Sequence, residues 1–376
     1  MQSNKKQTTT RRRFLRQATL GASTLAFSSL ALGKLSACAP EQERKLGIAL
    51  VGLGNYSKNK LAPALQVTER CRLAGIVTGT PAKAEEWSKQ YGIPGENIYN
   101  YNTFDQIQDN EDIDIVYVVL PNGMHAEYTI RAAQAGKHVI CEKPMAISVE
   151  ECRQMIEACE QAGVKMQIGY RCQYDPHHQE IMRLGQEEVL GKVMLIQTGN
   201  GFYYGGGSDN WRFNDPELAG GGALMDMGVY CIQGARYTMG KEPVAVTAQF
   251  YNPRPEIIIP ELDDTMTWQM EFDNGAIANC STSYGARSDY LKVSAQEGNF
   301  ELHPCYQYNK PEGEVQGEPI SFEGENQQAV QMDAFASNIM ENTPVVADGM
   351  EGLHDMMVVE AIYRSAANGG RREKVG

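Results

Sequence analysis

Apolar and polar positions follow two successive rhythms along this chain. From Lys45 to about Ile168, short apolar runs alternate with amphipathic stretches. Leu46–Gly52, Arg72–Thr78, Ile113–Leu120, His138–Cys141 and Lys165–Ile168 predict strands, the third strongly β-branched. Lys58–Val67, Pro81–Tyr91, His125–Ala135 and Val149–Ala162 predict the helices between them, the second opened by proline. This alternation implies a parallel sheet covered on both faces. Beyond Tyr170 the pattern changes. After a helix over Pro176–Gly185 and a glycine-rich stretch come longer alternating runs: Val193–Gly199, Val244–Phe250, Thr265–Phe272, Ala276–Ser283 and Leu291–Ala295. They predict a large open, mostly antiparallel sheet with one face exposed or used in assembly. Gln327–Met340 and Gly352–Ala367 predict closing helices.

The division expected is therefore an α/β unit over 46–168, an α+β substrate and oligomerisation domain over 169–345, and a C-terminal helix (346–376) packing back on the body. Charge adds a segment in front of these. Of 34 basic residues, seven lie within 1–37 (Lys5, Lys6, Arg11, Arg12, Arg13, Arg16, Lys34), where there is no acidic one. The remaining 27 basic against 47 acidic residues leave a net of −20, which argues against a nucleic-acid partner. Thr10-Arg11-Arg12-Arg13-Phe14-Leu15-Arg16 resembles a twin-arginine export signal and precedes an apolar run from Ala18 to Gly33. That run is short of the ~20 residues a membrane span needs. Leu35-Ser36-Ala37-Cys38 resembles a lipobox, so 1–37 is expected to be a cleaved signal, Cys38 a lipidated first residue and 38–45 a linker. Membrane attachment is expected only through that lipid; a soluble, signal-cleaved form is the alternative. Export by this route carries folded chains, and so implies a cofactor loaded beforehand. The other eight cysteines form no metal-type pairs, and no metal is expected; Cys141, Cys172 and Cys231 sit in apolar contexts.

The first predicted strand ends in Val51-Gly52-Leu53-Gly54-Asn55-Tyr56-Ser57 and leads into a helix. Two glycines there allow a tight turn and let a pyrophosphate approach N–H groups at the helix start, with Ser57 replacing a third glycine. Between a first strand and first helix, this motif predicts a Rossmann-type dinucleotide-binding domain. The second strand ends Val77-Thr78-Gly79-Thr80 without the acid that would hold a free 2′-hydroxyl, and Lys83 follows. A hydroxyl and a cation suit a 2′-phosphate, which makes NADP the expected cofactor, although a helix lysine is as readily a solvated one.

Strand His138–Cys141 runs into Glu142-Lys143-Pro144, so Lys143 stands at the carboxyl end of a parallel strand, facing the ligand crevice. Gly220-Gly221-Gly222 opens a helix carrying Asp226 and Tyr230, four apart and so expected on one face. Together VGLGNYS (51–57), LPNGMHAE (120–127), CEKPM (141–145), GYRCQYDP (169–176) and LAGGGALMDMGVY (218–230) resemble the Gfo/Idh/MocA oxidoreductases, in particular their glucose–fructose oxidoreductase branch. The resemblance runs from Leu46 to the C-terminus. Most of that family places histidine where this chain has Tyr230. It implies Lys143, Asp226 and Tyr230 as catalytic. It implies Leu120, Pro121, Asn122, His125, Glu142, Arg171, Trp211 and Arg212 around nicotinamide and sugar. With Tyr101 these join Gly52, Leu53, Gly54, Asn55, Tyr56, Thr78, Gly79, Lys83 and Lys143 in the cofactor set. It further implies a homodimer or homotetramer built through the open sheet.

The residue types suit oxidation of a sugar at C1: hydride goes to nicotinamide and a base takes the hydroxyl proton. A phenol near pKa ~10 is a poor base at neutral pH. Lys143 is expected to stabilise its phenolate and lower it, with Asp226 orienting the sugar. Tyr170, Tyr174, Phe202, Tyr203, Tyr204 and Trp211 are candidates for stacking on sugar faces, and His125 for a site role or a structural cap. Outside the cytoplasm no nicotinamide pool is replenished. The expectation is therefore a tightly bound NADP that oxidises an aldose to a lactone and reduces fructose or a second aldose, in ping-pong fashion. The alternatives are an NAD-dependent glycosidase of the same family, which would favour a histidine-based site, and a non-catalytic sugar-binding lipoprotein, which leaves Lys143 and Tyr230 unexplained.

Overall fold

The computed structural model describes residues 44–207, 210–308 and 311–376. The expected signal 1–37, the lipobox with Cys38 and most of the linker lie outside the described residues. Strands β1 (Leu46–Val51), β2 (Cys71–Val77), β3 (Ile98–Tyr99), β4 (Ile115–Val118), β5 (His138–Cys141) and β6 (Met166–Ile168) form a parallel sheet in the order β3-β2-β1-β4-β5-β6. That order reverses direction between β1 and β4, and the crevice above this switch point is where dinucleotides bind.

Alternation along each strand divides its side chains between two cores. Ile48, Leu50, Ile76, Ile115, Tyr117 and Ile140 face one side; Ala49, Val51, Val77, Val116, Val118 and Val139 face the other. Helices α1 (Ala62–Ala64) and α2 (Pro81–Tyr91) cover the first side. The second is covered by α3 (His125–Gln134), through Tyr128 and Ala132, and by α4 (Val149–Ala162), through Cys152 and Met155. Ser148 caps α4 by accepting the Glu151 N–H, and Gly163 ends it in the left-handed conformation. One expected helix differs: over Lys58–Val67 the chain makes a π-turn at Ser57–Leu61 before the short α1.

After α5 (Pro176–Gln186) the second sheet begins with β7 (Val193–Gly201). Two short helices, α6 (Trp211–Asn214) and α7 (Pro216–Ala219), lead to α8 (Val229–Met239). The strands β8 (Pro243–Tyr251), β9 (Thr265–Phe272), β10 (Ile277–Ser283), β11 (Ser288–Ala295), β12 (Gly298–Leu302), β13 (Gly313–Val315) and β14 (Glu318–Ile320) follow. Helices α9 (Gln327–Met340) and α10 (Gly349–Ala367) and strand β15 (Glu373–Lys374) complete the chain. The order is β14-β13-β12-β11-β7-β10-β9-β8-β15, antiparallel except for β7 beside β10. One face packs Ile196, Val246, Trp268, Met270 and Val293 against α8 and α10. Exposed Gln197, Gln249, Thr267, Asn279 and Lys292 mark the other face. The edge strands β12 to β15 were not anticipated, being two to five residues long and too short to establish an alternation.

Helix α9 follows the second sheet in the chain yet packs on the first, its Ala329, Met332, Phe335 and Ala336 joining Ile48, Leu50 and Leu61 in one core. Among the described residues no helix is long and apolar enough to cross a membrane, and the eight described cysteines are buried and free of disulfides.

Candidate active site

The glycine turn sits at the carboxyl end of β1. Gly52 has φ +93°, and a Cβ there would lie 2.4 Å from the Val119 carbonyl oxygen, so only glycine fits. Beside Gly54 nothing lies within 4 Å of where a Cβ would be, which leaves room for a phosphate to reach the backbone. Ser57 explains its place in the motif: its hydroxyl donates to the Gly52 carbonyl at 2.6 Å, closing the turn onto the helix. The N–H groups of that helix start have no partner further back in the helix and form an anion cradle. At the end of β2, Thr78 is buried, its hydroxyl accepts the Thr80 N–H, and no carboxylate follows. Lys83 extends from α2 to the Leu53 carbonyl at 3.1 Å, placing its ammonium at the turn. Tyr101 packs over Gly79 and edge-on to Tyr128. The cradle therefore fits a dinucleotide, and the cation beside it fits a 2′-phosphate.

Two strands deliver the reactive lysine. β5 continues into Glu142, whose buried carboxylate accepts from Tyr117 of β4 at 2.7 Å and from the Lys143 N–H at 3.3 Å. Gln331 of α9 donates to the same Tyr117 hydroxyl, so three elements hold the approach to Lys143. Burial pushes the Glu142 carboxyl up while Tyr117 and Lys143 pull it down. The Lys143 ammonium donates to the Asp226 carbonyl at 2.6 Å, stands 3.8 Å from the Asp226 carboxylate and lies 4.8 Å from the centre of the Tyr230 ring. Lys143, Asp226 and Tyr230 thus converge as expected. The helix is less regular than expected, with Asp226 in a π-turn (Leu224–Gly228) ahead of α8.

Sequence reasoning missed a second cation beside the phenol. Burial pushes the Tyr230 phenol up to about 12, and Arg171 draws it back. The Arg171 guanidinium is itself buried, 5.1 Å from the Tyr230 ring centre and 4.2 Å from that of Tyr308. It donates to Gln327 of α9 and to the Tyr306 carbonyl. Lys143 serves Asp226, whose other neighbours are Arg212 at 3.6 Å and the Tyr284 hydroxyl at 3.3 Å. Arg212 lies over the Trp211 ring at 4.2 Å.

Other expected residues divide between scaffold and groove. His125 is buried with Nδ1 2.8 Å from the Pro144 carbonyl and Nε2 2.9 Å from that of Leu120; it ties the loops after β4 and β5 together and offers no nitrogen to a substrate. Asn122 donates to the Ala219 carbonyl, and Pro121 and Leu120 complete that loop. Tyr56 accepts from Gln328 at 3.3 Å and tilts against Tyr308. Leu53 is buried and Asn55 exposed at the helix start. Tyr170 and Tyr174 are core residues, not sugar platforms: both are buried, and Tyr174 donates to Gln167. Tyr204 stacks on Phe213 at 3.8 Å. An open groove of about 860 Å³ is lined by Phe202, Tyr203, Met227, Tyr306 and Tyr308 with Lys60, Arg287 and Asp289. Lys60 stands in the turn just after the glycine motif, whereas Arg287 and Asp289, and likewise Tyr284, had no signal in the sequence, because strands distant in the chain bring them there.

A dinucleotide cradle joined to a lysine, carboxylate and phenol at the switch point of a Rossmann sheet defines a nicotinamide-dependent oxidoreductase. Residues 46–170 match the oxidoreductase family with an NAD-binding Rossmann fold, and residues 178–304 match the Gfo/Idh/MocA C-terminal domain; the chain belongs to the Gfo/Idh/MocA oxidoreductase family. It is similar to the crystal structure of an aldose-aldose oxidoreductase from Caulobacter crescentus complexed with glycerol, at 42% identity and a TM-score of 0.84 over 88% of this chain and 100% of that one. D-xylose 1-dehydrogenase (NADP(+)) 2 of Haloferax volcanii is 28% identical over 86% of this chain and 98% of its own. The D-xylose 1-dehydrogenase [NADP(+)] of Haloarcula marismortui is 27% identical over 85% and 90%.

Proposed function

We propose that the protein is an NADP-dependent sugar oxidoreductase that oxidises an aldose at C1 to a lactone and reduces a second sugar, fructose or an aldose, in ping-pong fashion with one tightly held dinucleotide. The observation that carries this reading is the convergence of Lys143, Asp226 and Tyr230 beside a glycine cradle whose second strand ends without a carboxylate. NADP and aldose appear in the names of relatives that match over most of this chain, which supports the substrate class. Bound NADP supplies the hydride acceptor for one sugar and the hydride donor for the next. Gly52, Gly54 and Lys83 would hold it. As phenolate, Tyr230 accepts the proton of the C1 hydroxyl, and as phenol it returns one to the carbonyl oxygen of the second sugar. Lys143 and Asp226 orient that hydroxyl. Trapping the dinucleotide is what makes this chemistry workable outside the cytoplasm; with it we propose export folded by the twin-arginine translocase, a lipid at Cys38 and assembly as a homodimer or homotetramer through the open sheet.

The test is to purify the protein without added cofactor and mix it with glucose alone. A rise in reduced-nicotinamide absorbance, reversed by fructose or xylose, is expected, together with NADP released on denaturation. No bound dinucleotide and no absorbance change would overturn the assignment.

A further inference from the structure

Outside the catalytic set, one buried carboxylate is hydrogen-bonded to the start of the catalytic helix. Asp263 lies just before β9 and is 1% exposed. One of its oxygens accepts the Gly222 N–H at 2.8 Å and the Tyr363 hydroxyl at 2.7 Å; the other accepts the Leu224 N–H at 2.7 Å. Its backbone carbonyl takes the Ala223 N–H at 2.9 Å. Three consecutive N–H groups ahead of Asp226 therefore end on one residue. Gly222 in turn accepts the Asp226 N–H at 3.1 Å, so the hold passes directly to the carboxylate beside Lys143. The approach is close enough that a Cβ on Gly222 would lie 2.0 Å from the Asp263 carbonyl oxygen. That contact gives the third glycine of the run a physical reason.

We propose that Asp263 is a positioning residue for the reaction: ionised, it fixes the start of the catalytic helix and so aims Asp226 at the sugar hydroxyl, and protonated in acid, it lets that helix start loosen. The inference rests on the role assigned above to Asp226 and Tyr230. Electrostatics agree with the geometry. Burial pushes the Asp263 carboxyl up to about 6, against the pull of Tyr363 and the Leu224 and Gly222 N–H groups. The groups facing it are Tyr363 from α10, Tyr284 after β10 and Asp226 beyond Tyr284. The neighbouring Asp264 is tied to Arg254 by two bonds of 2.7 Å. A carboxylate that titrates close to neutrality while holding two backbone donors acts as a pH-dependent clamp.

The experiment measures kcat and KM for glucose against pH, with fructose or xylose at a fixed saturating concentration as hydride acceptor, in the holoenzyme and in the Asp263→Asn and Tyr363→Phe variants. The wild type is expected to lose kcat, with little change in KM, below about pH 6. Tyr363→Phe removes a donor to the ionised form and should move that limb to higher pH while keeping the plateau. Asp263→Asn should lie about ten-fold below the plateau and show no such limb, since one hydrogen bond to a charged acceptor is lost. An unmoved limb in Tyr363→Phe, or a wild-type limb kept in Asp263→Asn, overturns the proposal. A wild type that reduces no dinucleotide overturns the function instead. Amide exchange of segment 220–226, corrected for intrinsic pH dependence, then still decides: protection lost below pH 6 in wild type but not in Asp263→Asn supports the clamp, and equal behaviour refutes it.

Discussion

Replacing Arg171 by methionine would separate the two cations of the site. Arg171 is buried, donates to Gln327 at 2.6 Å and stands 5.1 Å from the centre of the Tyr230 ring. Tyr230, pushed up to about 12 by burial, is drawn back chiefly by this guanidinium. Unit charges at that separation interact by about 3 kcal/mol at an effective dielectric constant of about 20. Losing that term lowers the phenolate population at a given pH about a hundred-fold. Proton abstraction from the sugar should slow correspondingly in Arg171→Met, and the alkaline rise in rate should move to higher pH. Arg171→Lys keeps the charge and loses the planar fork, so it should recover most of the rate. Stopped-flow absorbance of the bound dinucleotide on mixing with glucose, from pH 7 to 11, reads this half-reaction. Denatured samples report whether each variant still carries its dinucleotide. If Arg171→Met, with dinucleotide retained, follows the wild-type pH profile, or Arg171→Lys does no better than Arg171→Met, the electrostatic argument is wrong.

Gly52→Ala should lower the melting temperature and release the dinucleotide, because φ +93° alone costs a side chain about 1–2 kcal/mol and the added Cβ meets the Val119 carbonyl; calorimetry and the nucleotide content of the purified protein check both. Burial pushes the Asp175 carboxyl up, but the hydrogen bond and charge of His178, with a bond from Gln327, hold it well below the usual carboxylate range. Its stabilisation is thus present above the unfolded value of about 4 and is lost as pH falls below that towards the folded value. Melting curves of Asp175→Asn should accordingly depend less on pH between 5 and 2 than those of the wild type, and parallel curves would refute the assignment.

Much of this molecule is local and was legible before its shape was known. Strand and helix spacing from Leu46 to Ile168 defined the parallel sheet, because side-chain periodicity reports which face of each element is buried. The glycine turn and the lysine after β5 were equally readable, since both depend on a few contiguous residues at the end of a strand. What only the tertiary structure decided are relations between distant segments. Helix α9, more than 250 residues beyond β1, covers the first sheet and supplies Gln327 and Gln331 to the site. Tyr306, packed against the Tyr230 ring, with Tyr284 and Asp263, reaches the catalytic helix from strands and loops of the second sheet. The buried place of Arg171 beside Tyr230 belongs with these. A phenol's proton affinity depends on how deeply it is buried and which charge lies nearest, and neither is set by neighbours in the chain.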